Sequence, residues 1–169
     1  MTCRIALSLL LTLALAAAKT PRPLAKITIT GPPGGKKINL AAYPGKVMLI
    51  VIFSTGCETC VPALQFLDRL QAEYRDRGVV IAGAAADPPA ISTIKSLIDR
   101  FKIKIPLGVL TEDEARRLAD AGPTEKLTVP AFLFVDKKGI VRSQNPGDSG
   151  FFKDRDRNTR LLLDGLLRE

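Results

Sequence analysis

The 169-residue chain has no histidine and no tryptophan, and it carries only three cysteines. Without histidine there is no Ser–His–Asp relay, no Cys–His nucleophile pair and no imidazole metal site. The cysteines are too few to complete a tetrahedral zinc site, so neither a metal nor a cofactor is expected. Aromatic residues make up 5% of the chain, and no nucleic-acid-binding motif accompanies the formal charge of +8, which argues against a nucleic-acid partner. There are no internal repeats and no low-complexity segments. The longest N-terminal apolar run, Ile5 to Ala18, is 14 residues, short of the roughly 20 that span a bilayer.

What remains is ordinary globular material, 46% hydrophobic and 25% charged, in a length that suits one well-buried domain. The N-terminus reads Met1-Thr2-Cys3-Arg4, then the apolar run relieved by Ser8 and Thr12, then Ala16-Ala17-Ala18. One positive residue, a short apolar stretch and small residues before the cut are the parts of a secretory signal, here residues 1–18. If retained, the segment would be a membrane anchor; either way the protein is expected outside the cytoplasm, in a bacterial periplasm or its equivalent. Residues 19–25, with Pro21 and Pro23, read as a linker, and 26–169 as the domain. Basic residues are scattered among acids, as in Lys153-Asp154-Arg155-Asp156-Arg157, which reads as a solvated face, with attraction to an acidic partner or membrane surface as the alternative. A monomer is expected.

The patterning alternates strands and helices. Ile27–Thr30 and Lys36–Leu40 flank Gly31-Pro32-Pro33-Gly34-Gly35 as an N-terminal β-hairpin. Val47–Phe53 is a continuous β-branched apolar run, the mark of a strand buried on both faces. Val61, Leu64, Leu67 and Leu70 then recur at helical spacing, so a helix opened by the cysteines runs to about Arg77 and stops at Gly78. Val79–Ala85 is a second buried strand, and Asp87-Pro88-Pro89 starts a helix to about residue 101. A short strand at Ile105–Leu110, a helix from Glu112 to Ala121 ending at Gly122, a strand at Val129–Asp136 with its return at Ile140–Ser143, and a helix at Thr159–Leu167 complete the chain. The expectation is an α/β fold, a central mixed sheet with helices on both faces.

Removal of residues 1–18 would take Cys3 and leave Cys57 and Cys60. A bridge across two intervening residues restrains little chain entropy, which argues for chemistry over stapling. A thiol attacks a disulfide as the thiolate, so one cysteine needs a lowered pKa and the other must lie within reach. A helix N-terminus would favour the thiolate at Cys57, with Cys60 one turn further and turned inward.

Phe53-Ser54-Thr55-Gly56-Cys57-Glu58-Thr59-Cys60-Val61-Pro62, Thr128-Val129-Pro130-Ala131-Phe132 and Asp136-Lys137-Lys138-Gly139-Ile140-Val141 resemble the thioredoxin-like, TlpA/ResA-type extracytoplasmic thiol–disulfide oxidoreductases of the redoxin superfamily. The resemblance spans roughly residues 27–168 and implies a thioredoxin-like fold with Cys57 and Cys60 as the redox pair. It further implies a cis-proline at Pro130, a substrate-pairing backbone at Val129, and substrate contact by the residues around the pair, Gly56, Glu58 and Thr59. Asp87 takes the place nearest to the family's buried acid, which shuttles the proton of the resolving thiol; a helix N-cap is the other reading of Asp87. Implied partners are cysteine-containing exported proteins, apocytochrome c thiols among them, and an electron-donating membrane protein.

The chain departs from the family at Gly56, where tryptophan is usual, and at Glu58-Thr59, where proline is common. A carboxylate beside Cys57 disfavours the thiolate and points to a milder oxidant, hence a reductant. A peroxiredoxin-type thiol peroxidase using Thr55 near Cys57, and a redox-inert thioredoxin-like binding domain, are the alternative readings.

Overall fold

A computed structural model describes residues 20–169. The segment 1–18 expected as a signal, with Cys3, and Lys19, expected to open the linker, lie outside the described residues.

The backbone forms β1 (Arg22–Pro23), β2 (Thr28–Ile29), β3 (Ile38–Asn39), β4 (Val47–Phe53), α1 (Cys60–Tyr74), β5 (Val79–Ala85), α2 (Ala90–Phe101), β6 (Leu107–Val109), α3 (Glu112–Ala119), β7 (Ala131–Val135), β8 (Ile140–Asn145) and α4 (Arg155–Arg168). Six strands make one sheet in the order β1-β8-β7-β4-β5-β6, and β2 pairs with β3 as a separate hairpin. Strands β4, β5 and β6 are parallel, while β7, β8 and β1 add antiparallel neighbours. The fold is therefore the expected α/β mixed sheet with a hairpin at its start.

β4 sits at the centre because all seven of its residues are buried. Its side chains alternate between the two faces, as a strand requires. Val47, Leu49, Val51 and Phe53 join Leu64, Leu67 and Leu70 of α1, Ile94 of α2 and Leu163 of α4 in one cluster. Met48, Ile50 and Ile52 join Ile29 and Ile38 of the hairpin and Leu118 of α3 in the other. The two layers hold the sheet's carboxyl edge, where β4 ends, as a rigid platform.

Several boundaries differ from the sequence reading: β2, β3, β6 and β7 are shorter than expected, and β8 runs on to Asn145. Helix α1 begins at Cys60, three residues later than the cysteine that was expected to open it, and ends through a 3-10 turn at Gly78, whose φ of 87° suits glycine. Helix α3 stops at Asp120, held in the left-handed region at φ 49°, before Gly122 is reached. Helix α4 starts at Arg155 because the Asp154 carboxylate accepts from the Arg157 N–H at 3.3 Å and caps it. Within the expected linker, Arg22 and Pro23 are not free but pair with Val141 and Ile140 at the sheet edge, a place that tolerates proline's missing N–H. The Arg22 guanidinium fastens this edge by donating to Leu118 O and Gln144 Oε1, each at 2.7 Å. Thr20, just ahead, shares a small recess with Thr128, Ala131 and Pro146.

Candidate active site

At Phe53 the central strand ends and the chain turns. The Cys57 N–H donates to Ser54 O at 3.2 Å, and the Cys60 N–H donates to Cys57 O at 3.1 Å, so Cys57 rides on the turn ahead of α1 rather than in its first helical turn. The two sulfurs are joined as a disulfide with Cα atoms 5.3 Å apart. Their surroundings differ sharply: Cys57 is half-buried, whereas Cys60 is 1% exposed and belongs to the core beneath the sheet's end. Helix α1 has no acidic residue in its first turn and no side-chain cap from Thr59, so its leading N–H groups meet no competing carboxylate of their own helix.

The Thr59 hydroxyl lies 3.4 Å from Cys57 Sγ. A disulfide sulfur carries no proton, so the hydroxyl is the donor. Glu58 is exposed beside it. A side chain built at Gly56 would meet nothing within 4 Å, so the flank of the pair is open where the resemblance implies an aromatic ledge.

Asp87 stands just past the end of β5. Its Oδ1 accepts from the Thr55 N–H at 2.8 Å and its Oδ2 from the Thr55 hydroxyl at 2.6 Å. Thr55 Oγ1 also lies 2.8 Å from Thr93 Oγ1 on α2. The helix-cap reading of Asp87 fails, because the N-cap position of α2 is Pro89 and receives no side-chain bond. The carboxylate instead bolts down the turn two residues ahead of Cys57. Charge-assisted bonds of this kind are roughly twice as strong as neutral ones, which fixes the turn to the loop between β5 and α2.

Across the β4–β7 ladder, whose last pair is Ile52 with Ala131, the next step brings Pro130 beside Phe53. The Val129–Pro130 peptide is cis. Pro130 is buried and Val129 half-buried, and Val129 packs against the same cluster as Cys57 and Cys60. Among the described residues no hydrogen bond engages the Val129 N–H or C=O. Gly147 presses on this segment: a Cβ there would lie 2.8 Å from Val129 O, and its N–H donates to Thr128 O at 3.3 Å. Thr93 and Gly147 were not legible as site residues, because their partners lie 38 and 18 to 19 positions away along the chain.

The Redoxin family matches the chain over residues 19–157. The chain belongs to the Redoxin family. Among its relatives are the thiol-disulfide oxidoreductases ResA of Bacillus thuringiensis (strain Al Hakam) and Bacillus anthracis, each 26% identical over 135 residues, covering 80% of this chain and 69% of theirs. Its fold is shared with a thiol:disulfide interchange protein of the thioredoxin family from Chlorobium tepidum TLS, at TM-score 0.69 and 21% identity over 85% of this chain and 97% of that one. A thiol:disulfide interchange protein from Bacteroides sp. superposes at TM-score 0.64 and 19% identity, covering 88% and 93%. The sheet order and cis-proline thus belong to a thioredoxin-like Redoxin protein of TlpA/ResA type, and the chain is a thiol–disulfide oxidoreductase. No helix among the described residues is long and apolar enough to cross a membrane.

Proposed function

We propose that this Redoxin-family protein is an exported reductant of protein disulfides, in which Cys57 attacks and Cys60 resolves. The observation that carries the reading is the asymmetry of the pair, one sulfur at the rim and the other 1% exposed. In the reduced protein the Cys57 thiolate attacks one sulfur of a substrate disulfide, and the other leaves as a thiolate that takes up a proton. Cys60 then gives up its proton and attacks Cys57 Sγ. The Cys57–Cys60 bond forms, the mixed disulfide breaks, and the second substrate thiol departs. Two electrons pass to the substrate, and a membrane electron donor must restore the dithiol.

The remaining residues have roles in this scheme. Val129 offers an unbonded N–H and C=O to an extended substrate segment, the pairing mode of an added strand. Pro130 shapes that edge, and Gly56, Glu58 and Thr59 line the approach to Cys57. Asp87 supplies the base for the Cys60 proton while anchoring Thr55. Glu58 makes Cys57 a less ready thiolate and so favours the reducing direction. The substrates are exported proteins with disulfide-bonded cysteines, oxidised apocytochrome c among them, met in a periplasm or its equivalent.

The test is the redox equilibrium of Cys57 and Cys60 against glutathione, together with a Cys60→Ala variant offered a disulfide substrate. A reversible two-electron couple nearer the thioredoxin value of about −270 mV than the strongly oxidising value of about −120 mV is expected, with substrate captured on Cys57. A potential at the oxidising end would overturn the reducing direction. A bridge that never exchanges would overturn the whole scheme in favour of a binding domain.

A further inference from the structure

One flank of α1 and the residues at the amino ends of β4, β5 and β6 border a groove of about 1040 Å³. Five cationic side chains line it: Lys46, Arg69, Arg75, Lys102 and Lys104. Among the described residues none of the five has a side-chain hydrogen bond or an ion pair. Asp68 is the one acid in the lining, and its carboxylate is already occupied, accepting from the backbone N–H of Lys104 at 2.8 and 3.0 Å and of Ile105 at 2.7 Å. Two carboxylates just outside the lining act on its charges, Glu73 on Arg69 and Asp99 on Lys102, but each is paired elsewhere, with Arg160 and Lys95.

The lining is therefore rich in donors and poor in acceptors. Ammonium and guanidinium groups bring only donors, and a concave wall concentrates their field. Subtracting Asp68, five cations leave a formal +4 in one concavity. A volume near the upper end of the roughly 300–1,000 Å³ typical of small-molecule sites fits a compact ligand. A compact molecule that meets four positive charges must carry its negative charges close together, as phosphate groups do, and guanidinium geometry matches phosphate oxygens.

The cationic part of the groove lies at the end of the sheet opposite the redox chemistry. Lys46 precedes β4, Gly78 and Val79 open β5, and Lys104 to Pro106 precede β6, so it lies at the amino ends of the parallel strands. The cysteines follow the carboxyl end of β4, about 20 Å away along seven residues at roughly 3.3 Å each.

We propose that this groove binds a compact phosphate-bearing anion of several negative charges, at a site separate from the cysteine pair. The inference rests on charge and shape alone and does not depend on the direction of electron flow. A soluble polyphosphate and an anionic phospholipid headgroup share the required chemistry.

Inorganic tripolyphosphate titrated into the protein, followed by calorimetry and amide NMR, tests the first source. Co-sedimentation with phosphatidylglycerol vesicles, against phosphatidylcholine vesicles, tests the second. The double variant Lys46→Gln with Lys104→Gln is compared with a control of equal charge change on the hairpin turn, Lys36→Gln with Lys37→Gln. Saturable one-to-one binding of tripolyphosphate, weakened about tenfold by the groove variant through two lost ion pairs of order 0.7 kcal/mol each and unchanged by the control, is the expected result. The same dependence seen only with phosphatidylglycerol would assign the site to a headgroup. Equal loss in both variants, wild-type binding to neither probe, or amide shifts lying away from Gly78 and Lys104–Pro106 would overturn the proposal. The shift map uses the wild-type protein, so a variant that folds poorly does not leave the question open.

Discussion

Removing one hydroxyl tests how the site sets its own thiolate. In Thr59→Val the side chain keeps its shape and loses the donor that lies 3.4 Å from Cys57 Sγ. A hydrogen bond to a buried charged group is worth about 1.5–3 kcal/mol, and an exposed one at this length to sulfur earns a value nearer 1 kcal/mol. That corresponds to about 0.7 of a pKa unit. The sign follows from which state holds the charge: the hydroxyl stabilises the thiolate of the reduced protein more than the neutral disulfide sulfur. Its loss raises the Cys57 pKa and destabilises the reduced form, so the potential falls by about 20 mV and the protein becomes a slightly stronger reductant. The potential change develops fully only above the Cys57 pKa, where the thiolate is the reduced species. Ultraviolet titration of the thiolate gives the first quantity and a glutathione equilibrium at alkaline pH the second, with Thr59→Ser as the variant that keeps the wild-type values. A Cys57 pKa that stays put or falls in Thr59→Val would refute the assignment of Thr59 as donor.

Glu58→Gln moves the same titration the other way: removing an exposed carboxylate beside Cys57 lowers its pKa by a fraction of a unit at low salt, and the difference shrinks in high salt. Gly147→Ala is expected to cost about 1–3 kcal/mol in thermal stability and to slow capture of a disulfide substrate without moving the potential, since the new Cβ meets the Val129 backbone and not the sulfurs. Acid stability should depend on Asp136, which is 4% exposed. Burial pushes its carboxyl up, but the Ile140 and Lys138 N–H groups and the Arg142 guanidinium together hold it below the ordinary value. Its contribution is therefore complete above the unfolded value of about 4 and is lost as pH falls through the lower folded value. Asp136→Asn should cost about 1–3 kcal/mol near neutrality and flatten that acid limb of the stability curve, as denaturant melts across pH would show.

The central strands were legible to the residue. Val47–Phe53 and Val79–Ala85 are continuous apolar runs, and continuous runs have few other places to go than the middle of a sheet. Helix starts were less so. The apolar period that marks α1 begins at Val61, and nothing upstream of it distinguishes a turn carrying Cys57 from a first helical turn. Asp154 was visible as one charge among five, and its capping role depends on a backbone geometry that charge counting does not see. Strand β1 is two residues long and exists only because β8 is there to pair with it. At the site, the redox pair and Val129-Pro130 were readable as local patterns, whereas Asp87 holding Thr55 joins residues 32 positions apart. Sequence spacing gives no signal for such a contact.

The pairing of β1 with β8 also decides where the chain's two ends can be handled. Thr20 sits in a recess with Thr128 and Pro146, so the first described residue lies on the flank of the cis-proline edge. The other end is held at the opposite pole, where Lys137 in the β7–β8 turn donates to Leu167 O at 2.6 Å and Arg142 contacts Glu169 at 2.9 Å. An affinity tag or fluorescent protein fused ahead of residue 20 would crowd the doorway through which a client polypeptide must come. One fused after Glu169 would leave that doorway clear, and immobilising the protein by its C-terminus presents the sulfurs outward to a passing client.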